Sequence, residues 1–162
     1  MSAETPSPLS VEDYLHSSYS PDCDYVDGEL QERNVGEVDH AMVSNHGKEW
    51  NIRTLPEVRI KVSATRFRVA DICLVSREGA PEPIVKRPPL AIIEVLSPED
   101  RVSRYQQRLD DYRRMGVPNI WIVDPESRHG FDCSAGSWIE TDSFAIEASP
   151  ITDDLPTIFA AL

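Results

Sequence analysis

Leu90 to Leu96 is an apolar run broken by one acid, and Asn119 to Val123 is a second, shorter run. Runs of branched apolar residues at this length predict strands covered on both faces of a sheet. Ser97-Pro98 ends the first, since a proline cannot donate to a strand ladder. Between the runs the pattern changes to helical spacing. Val102, Tyr105, Leu109 and Tyr112 fall on one face and predict a helix over about Glu99 to Met115. Gly116 can take the left-handed conformation that closes a helix, and Pro118 prevents its resumption. A strand, a helix and a strand at these lengths predict a right-handed crossover between parallel strands.

The remaining pattern supplies the flanking elements. Residues 1–9 read as a mobile polar tail and residues 10–162 as one domain. Ser10-Val11-Glu12-Asp13 starts a short helix ending near Ser17, with Ser10 as cap and acids in its first turn. Tyr25-Val26, Asp27-Gly28 and Glu29-Leu30-Gln31 make a hairpin, because Asp-Gly suits the positive φ values of a two-residue turn. Gly36 to Trp50 is weakly patterned, with a short helix at most around Val38, Met42 and Val43. Leu55 to Val62 alternates as a strand, and Phe67 to Val75 returns beside it. The alternation changes phase at Ala70-Asp71, which predicts a bulge or an irregular strand. Arg77 to Pro89, with four prolines, reads as a surface loop. Phe131–Cys133 and Trp138–Glu140 form a hairpin around Ala135-Gly136. Asp153 or Asp154 caps a last helix holding Leu155, Ile158, Phe159 and Leu162.

Composition narrows the function. A net charge of −12 on 162 residues argues against a protein that coats nucleic acid non-specifically, but leaves room for a local basic groove. Cys23, Cys73 and Cys133 have no metal or redox spacing, and unpatterned cysteines fit a reducing cytoplasm. There is no charged-then-apolar leader and no long apolar run, so neither secretion nor a membrane partner is expected.

Two acids interrupt apolar strands. Glu94 lies in Ile92-Ile93-Glu94-Val95-Leu96 and Asp71 in Val69-Ala70-Asp71-Ile72-Cys73. A carboxylate buried there is costly unless it is paired, protonated or bound to a metal. On adjacent strands the two acids can ligate a divalent ion through oxygen, and Mg²⁺ or Mn²⁺ so held can activate water against a phosphoryl group. The plainer alternatives are a strand-end or bulge Asp71 paired with Arg68 or Arg59, and a Glu94 at an open strand end or satisfied by an arginine. Arg101, Arg104 and Arg108 on the helix, with Arg59, Lys61, Arg66 and Arg68 on the preceding hairpin, can line a phosphate-binding groove or form a solvated face.

Four segments resemble the Uma2 family of restriction endonuclease-like proteins, and the order of elements resembles the PD-(D/E)xK nuclease core. They are Tyr25-Val26-Asp27-Gly28-Glu29-Leu30, Arg68 to Val75, Ile93-Glu94-Val95-Leu96-Ser97-Pro98, and Gly116 to Pro125. The resemblance implies an α/β, restriction endonuclease-like core: a mixed central sheet flanked by helices, with N-terminal and C-terminal β-hairpins. It implies a metal-dependent endonuclease acting on DNA, with Mg²⁺ (or Mn²⁺) held by Asp71 and Glu94. Glu29 matches a further acid and His40 a histidine of the first core helix. A homodimer is compatible with the family. The departures are specific: Ala70 replaces a proline, Leu96 replaces the lysine of the nuclease pattern, and Arg108 stands where the family places a lysine on the helix. The stretch after His40 is short against the family pattern. A guanidinium stabilises phosphate charge but exchanges protons poorly. Three readings therefore stand: an active nuclease, a silent nuclease fold that binds nucleic acid or protein, and an unrelated α/β protein with structural acids.

Overall fold

The computed structural model describes residues 7–33, 51–100, 102–147, 149 and 151–160. His40, the weak helix around Val38, Met42 and Val43, Arg101 and Leu162 lie outside the described residues. Among the described residues nine strands form one mixed sheet. Its path runs from β2 (Glu29–Gln31) through β1 (Asp24–Val26), β4 (Arg66–Ser76), β6 (Ala91–Val95), β7 (Ile120–Asp124) and β8 (His129–Asp132) to β9 (Ile139–Thr141). β3 (Ile52–Ser63) pairs with β4 and with the short β5 (Ile84–Val85). No helix among the described residues is long and apolar enough to cross a membrane.

The central crossover forms as its pattern predicts. β6 and β7 are parallel, with Ile92 opposite Ile120 and Val95 opposite Val123. Helix α2 (Val102–Met115) joins them. Tyr105, Leu109 and Tyr112 pack from α2 onto Cys73, Ile92, Ile120 and Ile122. Val102 is a correction. It is 69% exposed, and the packing of α2 on the sheet begins at Tyr105. The opposite face carries Ile72, Ile93, Val95, Trp121 and Val123, covered by Phe144, Leu155, Ile158 and Phe159. These come from α3 (Leu155–Ala160) and a two-stranded sheet of β10 (Ser143–Ala145) and β11 (Thr152–Asp154). Burial on both faces explains why β6 and β7 lack alternation. Trp121 stacks on Phe144 with ring centroids 4.8 Å apart. Gly130 lets this layer approach: a Cβ there would meet Leu155 Cδ1 at 2.2 Å.

The N-terminal elements also follow local chemistry. Ser10 caps α1 (Val11–Leu15) by accepting from the Asp13 amide at 3.0 Å. Asp27 and Gly28, with φ of 51° and 99°, make the β1–β2 turn. Leu9, assigned by pattern to the tail, is held there, its amide donating to Gly28 O at 3.0 Å and its carbonyl accepting from the Tyr25 hydroxyl. Asp154 caps α3 through the Thr157 amide at 3.1 Å. β5 and the β10–β11 pair are two or three residues per strand, too short to leave a period.

The irregularity expected at Ala70-Asp71 is a skipped pair. Pro56 faces Ile72 and Val58 faces Ala70, while Glu57 between them has a φ of 47°. Ala70 and Cys73, three residues apart, join the same core beneath α2. The register shift itself falls later, between Lys61 and Ser63.

Candidate active site

The ladder between β4 and β6 runs from Leu74–Ala91 to Ile72–Ile93 and ends there. The next positions on the two strands are Asp71 and Glu94. Their carboxylates take over the backbone groups that the ladder no longer serves. Val95 N–H donates to Asp71 Oδ2 at 2.8 Å, and Asp71 N–H lies 3.4 Å from Glu94 Oε2. A buried amide needs such a partner. Asp71 is 2% and Glu94 1% exposed, so the sheet brings together the two acids marked by the sequence.

Each acid is also met by an arginine. Arg108 donates Nη2 to Glu94 Oε1 at 2.7 Å and to Val69 O at 2.8 Å, and Nη1 to Asp24 Oδ2. The Tyr112 hydroxyl donates to the same Glu94 oxygen at 2.6 Å. Arg33 donates Nη2 to Asp71 Oδ1. Burial first, and then the Glu94 carboxylate, push the Asp71 carboxyl well above its usual range, against the pull of Arg33. Burial alone would lower the Arg33 pKa, but Asp71 and Glu94 outweigh it and raise it. Burial drives the Tyr112 hydroxyl up, which keeps it a proton donor toward Glu94.

Behind these acids lies a chain of alternating charge. Asp24 bridges Arg108 and Arg68, with Arg68 Nη1 at 3.1 Å, and accepts the Val69 amide at 2.8 Å. Arg68 pairs with Asp111 at 2.7 Å, and Asp111 with Arg66, which reaches Asp27 on the surface. Sequence reasoning missed Asp24, Arg33 and Asp111 as members of this cluster. The available signals were Arg68 inside an apolar strand and Asp111 beside the buried Tyr112 on α2.

Glu29 does not join the cluster. It is the first residue after the hairpin turn, opposite Val26, and is exposed. The acid that the hairpin delivers is Asp24, at the other end of the ladder beside Val69. The basic groove expected from the arginines is also largely consumed. Arg59 pairs with Asp22 at 2.7 Å and stacks over the Tyr14 ring, while Arg66, Arg68 and Arg108 serve the buried chain. Arg104 remains at the cleft, donating to Glu32 O at 3.2 Å.

A cleft bordered by Asp71, Glu94, Arg33, Arg104, Arg108 and Tyr105 has a free volume of about 30 Å³. That admits roughly one or two water-sized species. Its donors suit a hard cation: two carboxylates meeting at the end of a ladder, with space for water beside them. Mg²⁺ is commonly held by one or two carboxylates with waters completing its shell. Among the described residues no group of three or more His, Cys, Asp or Glu side chains converges as a metal cage. The chemistry therefore fits an ion completed by solvent or substrate oxygens.

A family model described as "Uma2: Putative restriction endonuclease" matches residues 11–142. No curated protein matches the chain. Among solved structures, the crystal structure of a "putative nuclease belonging to DUF820" from Anabaena variabilis ATCC 29413 is similar, with a TM-score of 0.79 at 17% identity. The alignment covers 94% of this chain and 98% of that one. The likeness establishes a common fold.

Proposed function

The chain belongs to the Uma2 family, and from that premise we propose that it is a divalent-metal-dependent endonuclease hydrolysing phosphodiester bonds in DNA. The observation that carries the proposal is the meeting of Asp71 and Glu94, both buried, where the β4–β6 ladder ends. Asp71 and Glu94 would hold Mg²⁺ or Mn²⁺, which supplies charge stabilisation at a phosphoryl oxygen and lowers the pKa of a bound water. The Val95 amide orients Asp71. Tyr112 and Arg108 orient Glu94 through its Oε1. Arg104, at the cleft edge, offers positive charge to a phosphate.

The test is nicking of supercoiled plasmid with Mg²⁺ or Mn²⁺ present. Cleavage by the parent that disappears in both Asp71→Asn and Glu94→Gln supports the proposal. Cleavage that survives both changes contradicts it.

A second reading rests on Arg108. By the sequence resemblance it stands at the match to the family's lysine; it stays charged and is held by four polar partners. A residue so held is a poor proton carrier, which favours a silent nuclease fold that binds DNA. Binding of plasmid DNA without cleavage, in metal that saturates the site, would select this reading.

A further inference from the structure

The two arginines that meet the acid pair differ in how firmly they are held. Arg108 is buried, and its Nη atoms reach Asp24, Glu94, Val69 O and Tyr112. It cannot leave without taking the arginine partner from Glu94 and, among the described residues, one of two from Asp24. Arg33 follows the end of β2, borders the cleft, and reaches one carboxylate oxygen, Asp71 Oδ1. Its side chain is only 5% exposed, yet its Nη1 has no hydrogen-bond partner among the described residues. A buried donor without a partner is a cost, and it leaves Arg33 with fewer bonds than Arg108.

The oxygens of the acids divide in the same way. Asp71 Oδ2 is committed to the Val95 amide, and Glu94 Oε1 to Arg108 and Tyr112. The oxygens left for an incoming cation are Asp71 Oδ1 and Glu94 Oε2. Among the described residues Glu94 Oε2 has only a long contact of 3.4 Å to an amide, whereas Asp71 Oδ1 carries Arg33. A divalent ion and the Arg33 guanidinium thus want the same oxygen, and two cations sharing it would repel.

We propose that Arg33 is a built-in counter-ion that competes with the divalent metal for Asp71 Oδ1 and so sets the metal concentration at which the site loads. The inference rests on the proposed metal role of Asp71 and Glu94. Metal binding and the Arg33–Asp71 pair are mutually exclusive. In the metal-free protein Arg33 neutralises Asp71, so the fold does not need the ion.

Calorimetric titration of the full chain with MnCl₂ tests this, using the parent, Arg33→Gln, Arg33→Lys and Asp71→Asn. Arg33→Gln should bind Mn²⁺ at least tenfold more tightly than the parent, Arg33→Lys should stay near the parent, and Asp71→Asn should lose binding. A second measurement uses the unmodified chain, in case Arg33→Gln does not fold. The Arg33 Nε–H resonance, assigned through Arg33→Lys, should move with Mg²⁺ to saturation while the Arg108 resonance stays in place. Equal Mn²⁺ affinity in the parent and Arg33→Gln, or an Arg33 resonance that ignores bound Mg²⁺, overturns the competition and leaves the metal site standing. Absence of binding to either protein at millimolar Mn²⁺ overturns the metal site and the competition together.

Discussion

At the scale of single residues, Arg108 carries the most consequence. It answers two buried acids at once, Asp24 and Glu94, with its two Nη atoms. Replacing it by Met leaves Glu94 buried with only the Tyr112 hydroxyl and amide contacts, and leaves Asp24 to Arg68 alone among the described cations, and should destabilise the fold by about 3–5 kcal/mol. Arg108→Lys keeps the charge but loses the fork, because one ammonium cannot reproduce the geometry of both pairs. It should cost about 1.5–3 kcal/mol, the value of a hydrogen bond to a charged group. Urea denaturation of the two variants checks both figures. Equal stability of parent and Arg108→Met would mean that the pairs do not form in solution. Asp71 and Glu94 were legible in the sequence because an acid is conspicuous in an apolar strand. Arg33, Asp24 and Asp111 were not. Each sits at an element end or on a helix among other charges, where burial depends on which distant strand arrives.

At the scale of elements, the crossover of β6, α2 and β7 was legible because its strands are covered on both faces and its helix on one. Leu109, 1% exposed, sits in the middle of that contact. Leu109→Ala should lose about 2–5 kcal/mol by thermal or chemical unfolding, as for other buried leucines. A midpoint unchanged by the substitution would place α2 away from the sheet. Val102 fits the same periodicity but is exposed, because periodicity marks a face and not where along the helix contact begins. The phase change in β4 shows the reverse. There a break in alternation did report geometry, the skipped Glu57–Asp71 pair beside the acid site. β5, β10 and β11 had no pattern of their own: β5 exists through pairing with the distant β3, and β10 and β11 through pairing with each other.

At the scale of the molecule, charge decides how DNA can be met. The net charge is −12, and Arg59, Arg66, Arg68 and Arg108 are spent on internal acids. The proposed binding to DNA would then draw on few cations of this site, so it should be weak and fall with salt. For about two phosphate contacts the logarithmic slope against salt is roughly −2. Fluorescence anisotropy of a labelled duplex at two salt concentrations checks this, and salt-independent binding would indicate a partner other than DNA. Within the protein, Asp71 is paired with Arg33 and Glu94 with Arg108, and on the proposed reading a divalent ion would join this acid pair. The most direct test of that pair is an anomalous difference map from crystals soaked in MnCl₂. The account predicts one strong peak at about 2.0–2.2 Å from carboxylate oxygens of both Asp71 and Glu94, with Arg33 withdrawn from Asp71. Crystals that hold Mn²⁺ elsewhere, with the Arg33–Asp71 and Arg108–Glu94 pairs intact, would contradict it.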